Sequence, residues 1–93
     1  MHVGTLYIEL HIPHAAHLKA KRQVLQSIKM GLRGKFNVSL AEVDFQDLWQ
    51  RAALGFACVG RDPSTVEQTL MNIFEIIDSR HDCQVVAHSF EFL

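Results

Sequence analysis

Apolar and polar residues alternate from Val3 to Ile12, with Leu6, Ile8, Leu10 and Ile12 on one side and Thr5, Tyr7, Glu9 and His11 on the other. A period of two with chemically different faces predicts a strand that buries one face and leaves the other open. Pro13 cannot donate to a ladder and ends it. From Leu18 to about Arg33 the period lengthens to that of a helix, with Val24, Leu25, Ile28 and Leu32 in one apolar stripe and Leu18 at its edge. Gly31 and Gly34 weaken the last turns and predict a stop near Gly34.

Phe36 to Val43 reads as a second strand and Arg51 to Val59 as a third, whose small residues Ala52, Ala53, Gly55 and Ala57 permit close approach of neighbours. The intervening Asp44-Phe45-Gln46-Asp47-Leu48-Trp49-Gln50 is too long for a tight hairpin turn. Asp62 and Pro63 form a helix start, N-cap followed by a proline at the first helical position. Val66, Leu70, Ile73, Phe74 and Ile77 supply that helix's apolar face up to about Ser79, and Gln84 to Leu93 closes the chain as a fourth strand. The order β-α-β-β-α-β predicts an α+β two-layer sandwich of the ferredoxin-like kind. Both helices would lie on one face of a four-stranded antiparallel sheet, with the first and third strands central.

Composition narrows the class. With 93 residues, 48% of them hydrophobic, the chain has material for one core and no room for a second domain. No apolar run approaches the roughly 18 residues of a membrane span, and no signal peptide is visible, which points to the cytoplasm. Cys58 and Cys83 lack zinc or redox spacing and suit a reducing compartment as unpaired thiols, and Cys58, inside an apolar strand, reads as a small hydrophobe. The net charge of -1 hides an asymmetry: residues 1–35 hold six of the nine basic side chains and a single acid, Glu9. Such polarity leaves room for an anionic partner despite a near-zero total.

Three segments together resemble the YlxP-like family of small bacterial proteins, a family of unknown function. They are Leu6-Tyr7-Ile8-Glu9-Leu10-His11-Ile12-Pro13, Leu18-Lys19-Ala20-Lys21-Arg22, and Phe36-Asn37-Val38-Ser39-Leu40-Ala41-Glu42-Val43 running into Gln46-Asp47-Leu48-Trp49-Gln50-Arg51-Ala52. The resemblance implies a ferredoxin-like fold and brings no established activity, ligand or catalytic residue. Genes of that family often neighbour those for translation factors, which associates it with the ribosome. The chain departs from the family at the start of the first helix, where His17 stands in place of a serine N-cap and Ala20 in place of a glutamate. Histidine is a poor acceptor for backbone N–H groups, so the cap is expected to be lost.

Lys19, Arg22, Lys29 and Arg33 line up beside the apolar stripe of the first helix with no acid among them. They are candidate phosphate contacts, against the plainer reading of a solvated helix face. Lys21 joins them as a candidate, although its spacing puts it with Ile28 and Leu32, where it must snorkel or find a partner. Leu6-Tyr7-Ile8 and Gly55-Phe56-Ala57-Cys58-Val59 partly match the two short motifs of RNA-recognition domains, which makes Tyr7 and Phe56 a candidate base-stacking platform on the open face. Both are also ordinary strand formers, and an open apolar face serves equally well as a homodimer interface.

The loop residues Gln46, Asp47, Trp49, Gln50 and Arg51 form a candidate interaction loop. The alternative has Trp49 and Phe45 capping the core edge and Asp47 paired with Arg51. His11, His14 and His17 have no neighbouring acid or cysteine to complete a metal site, so no metal is expected. There is no Gly-rich phosphate loop, HExxH or GxSxG; Glu9 and His11 share a face but lack a nucleophile or cofactor. The leading expectation is a non-catalytic accessory protein that contacts RNA or the ribosome, with no cofactor and no DNA or membrane partner. The alternative is a homodimeric protein-interaction or small-ligand regulatory module.

Overall fold

The computed structural model describes residues 1–93. Its elements run β1 (His2–His11), α1 (Leu18–Leu32), β2 (Val38–Asp44), β3 (Arg51–Gly60), α2 (Pro63–Asp78) and β4 (Gln84–Phe92). The four strands pair antiparallel in the order β2-β3-β1-β4, which makes this a ferredoxin-like sheet with its two central strands as expected.

β1 turns Leu6, Ile8 and Leu10 inward, and β3 meets them with Ala52, Leu54, Phe56 and Cys58. α2 lays Val66, Leu70, Ile73 and Ile77 on this layer, a run at i, i+4, i+7 and i+11 that keeps one stripe on the sheet. Each fully buried aliphatic side chain contributes ~1.5–3 kcal/mol. β1 and α2 touch closely at Gly4, where an added Cβ would sit 2.7 Å from Val66 Cγ1.

α1 brings less apolar surface: its buried residues are Ile28, Leu32 and Lys21. Lys21 is 1% exposed. Its ammonium lies 2.8 Å from Glu42 Oε2 and donates to the carbonyl oxygens of Phe45 at 2.7 Å and Gln46 at 3.4 Å. Glu42 Oε2 has no donor aligned on it, so the Lys21–Glu42 contact is a charge interaction, while the directed hydrogen bonds go to the loop carbonyls. α1 ends where Gly34 takes φ +80, a conformation that costs a residue without Cβ little.

His17 corrects the expectation of a lost cap. It is extended at the N-cap, and its Nδ1 accepts from the Ala20 N–H at 3.0 Å. An imidazole nitrogen can fill the role of a serine hydroxyl when the ring turns back over the first turn. At α2 the expected cap forms, with Asp62 accepting from the Thr65 N–H at 2.9 Å.

Both edge strands bulge, one residue pair apart along the sheet, on either side of the Glu9–Ala53 level. Between Glu42 and Asp44 the pairing with β3 skips Val43, and between Ala87 and Val85 the pairing with β1 skips Val86. The skipped valines are both exposed.

Removing the buried ammonium leaves a partly buried carboxylate and two carbonyls without their partner. Lys21→Ala should therefore destabilise the fold by about 2–3 kcal/mol, less than a fully buried pair because Glu42 reaches solvent. Urea unfolding followed by circular dichroism checks this; a change within ~0.5 kcal/mol, the size of an ordinary surface substitution, is the contrary result.

Candidate anion-binding surface on the first helix

Lys19, Arg22, Lys29 and Arg33 share the side of α1 that faces β2. Lys19, Arg22 and Arg33 are exposed and Lys29 is half-buried. The ion pairs of the molecule are Lys21–Glu42, Arg51–Glu9 and Arg80–Asp82, so none of these four cations has a carboxylate within 4.0 Å. Between α1 and β2 lies a groove of about 460 Å³, with Lys19, Arg22 and Lys29 along one rim and Leu25, Leu40 and Leu54 among its lining. A second hollow of about 260 Å³ continues it toward Lys29, Arg33 and Phe36.

Two candidates move elsewhere. Lys21 is enclosed by Glu42 and the loop carbonyls and cannot reach a ligand, because its position on the helix points it at the sheet. Phe56 is 2% exposed and stands opposite Leu6 in the β1–β3 register, which puts it on the helix-covered face. Tyr7 stands opposite Gly55 on the open face. The stacking platform of Tyr7 with Phe56 therefore does not exist: they lie on opposite faces of the sheet.

The open face carries another arrangement. Tyr7 donates its hydroxyl hydrogen to Glu9 Oε1 at 2.9 Å, and Arg51 lies 3.4 Å from Glu9 Oε2 and 4.0 Å from the centroid of the Phe45 ring. Phe45 takes φ +61, an uncommon backbone for a bulky residue. It is held there by the Lys21 bond to its carbonyl, by Asp44 Oδ1 accepting from its N–H at 2.7 Å, and by Arg51 over its ring. Arg51 thus pairs with Glu9 and not with Asp47. Trp49 is 53% exposed and does not cap the core edge. Gln50 anchors the loop by donating to the carbonyls of Pro13 and Ala15 at 3.2 and 3.3 Å. Gln46 and Asp47 are exposed.

His11 contacts Gln84 Oε1 at 3.3 Å, His17 caps α1, and His14 is exposed; no group of three His, Cys, Asp or Glu side chains converges as metal ligands would. The resolved pKa shifts all move groups away from neutrality. Donation to Glu9 raises Tyr7, burial pushes the Cys83 thiol up to about 11, and the Thr65 backbone N–H lowers Asp62. Arg80 and Asp82 hold each other charged through hydrogen bonds at 2.9 and 2.7 Å, while Arg80 also donates to Ser27 of α1 at 2.9 Å.

Sequence reasoning missed the groove because its floor comes from distant positions, Leu25, Leu40 and Leu54.

A ferredoxin-like domain with one cationic helix flank is the class of protein these features define. Residues 3–90 match the family model described as "Protein of unknown function (DUF503)". The chain is 39% identical over 77 residues to the uncharacterized protein YlxP of Bacillus subtilis (strain 168), covering 83% of this chain and 84% of that one. The chain belongs to this DUF503, or YlxP-like, family, for which no activity is named.

Asp82 supplies a pH dependence with a definite sign. Its folded-state carboxyl is held below the ordinary value by Arg80, so its contribution is present above the usual carboxylate range and lost as pH falls through it. Asp82→Asn should flatten the decline in melting temperature below about pH 4 relative to wild type; coincident curves for the two proteins would rule this out.

Proposed function

We propose that the chain is a non-catalytic accessory protein that binds RNA, ribosomal RNA included, through the cationic flank of α1. The observation that carries this is the set of Lys19, Arg22, Lys29 and Arg33 without a single acidic partner along one side of the helix. Unpaired cations in a row repel one another and are stabilised when phosphates displace their counterions. The neighbouring acid, Glu42, is already compensated by Lys21, so the groove keeps its positive field. The translation-gene neighbourhood of the family points the same way.

Fluorescence anisotropy of labelled ribosomal RNA fragments across a salt series tests this reading. Four phosphate contacts predict a slope of about −3 to −4 in log affinity against log salt. The double reversal Lys19→Glu/Arg22→Glu should weaken binding at least about tenfold, because each rim cation becomes a repelling charge. Its melting temperature should stay close to wild type, since both residues are exposed. Unchanged affinity in the double variant would sink the reading.

The open face favours a second reading, self-association. Ser39, Ala41, Gly55 and Ala57 leave a shallow depression of about 460 Å³ between Tyr7 and Val43, with no charged residue lining it. An uncharged patch of this kind on an open sheet face gains from being covered. Sedimentation velocity should then show a dimer that Ala57→Glu splits; a monomer at high concentration counts against it. Phe56→Glu is not a suitable probe, because it would place a carboxylate in the core.

A further inference from the structure

The two hollows beside α1 share Lys29 and Leu40 and so form one trough, running from Lys19 to Arg33 along the free edge of β2. We propose that this trough holds an unpaired base of single-stranded RNA, with Lys19, Arg22 and Lys29 on the flanking phosphates. This rests on the reading of the cationic flank as a phosphate-binding surface and specifies which nucleic acid it takes.

A duplex presents phosphates on a convex ridge, and a flat or convex row of cations suffices to hold it. Here the cations rim a hollow floored by Leu25, Leu40 and Leu54, and the one acid in its lining, Glu42, is paired with Lys21. The larger part, about 460 Å³, falls in the ~300–1,000 Å³ range of sites that enclose small molecules. An apolar floor under a positive rim fits a ligand with an apolar face and a negative backbone. An unstacked base has that π face, and its phosphates are the negative part. The amides of Gln23 and Gln26 stand on the trough wall and can both donate to and accept from a base edge. An extended acidic peptide would need a longer regular edge than β2 has: the bulge at Val43 limits even pairing to Val38–Glu42.

The test compares a labelled single strand of about ten nucleotides, inside the ~4–16-nucleotide footprint of such sites, with a hairpin duplex of equal charge. The single strand should bind about tenfold more tightly, the order that one held base contributes. A 4-thiouridine version should crosslink within Leu25–Lys29 or at Leu40, and Leu40→Ser, still folded by its melting curve, should lose most of the single-strand preference while keeping the salt slope. Equal affinity for strand and duplex overturns the proposal and leaves phosphate binding by α1 standing. Crosslinks at Tyr7 or Ala57 overturn it in favour of the open face. Displacement of the strand by poly-glutamate as readily as by unlabelled RNA overturns it in favour of an acidic peptide. Failure of both RNAs to bind at low salt removes the underlying reading and this one with it.

Discussion

The attachment of α1 depends on one buried ammonium. α2 is held by four buried aliphatic side chains, whereas α1 has two, Ile28 and Leu32, with Lys21 in the place where a third would be. A charge at that position is tolerable only because Glu42 comes across from β2 and two loop carbonyls turn toward it. The same contact fixes Phe45 in its left-handed backbone, and with it the ring under Arg51. Helix, edge strand and the β2–β3 loop are therefore tied at a single atom, Lys21 Nζ. The trough lies beside this tie, between α1 and β2.

This arrangement also sorts the cations. Lys19, Lys21 and Arg22 are neighbours in sequence, yet one is structural and two face solvent, separated by the rotation of the helix. Glu42 lines the same groove as the outer cations, and its pairing with Lys21 offsets the one carboxylate beside them. Neutralisation inside and exposure outside are two parts of one electrostatic design.

Much of the architecture was legible because its signals are local. The alternation of β1, the spacing of Val66, Leu70, Ile73 and Ile77, and the Asp62-Pro63 start each declare their element within a few residues. Lys21 was legible as an anomaly, since helical spacing alone puts it among apolar residues, but its partner is 21 positions away and only folding brings it near. Phe56 was misplaced for a physical reason: β3 is apolar or small on both faces, so Ala53, Gly55 and Ala57 hide the alternation that would have fixed its parity. The register against β1 decides it, and register is a property of the sheet. The trough lay beyond reach because it is a gap between elements, and His17 was misjudged because a poor average acceptor can still be well placed.

The paired bulges at Val43 and Val86 bear on how the molecule meets its own kind. An open four-stranded sheet has two unpaired edges, each a template on which another chain's strand can grow. Here both edges are interrupted at adjacent levels, on either side of Glu9, so no incoming strand can follow either for its full length. Endless side-by-side propagation of sheets is discouraged on both flanks at once, and the two exposed valines mark where the interruption occurs. Such interruptions shorten the regular stretch that each flank offers to a neighbouring copy.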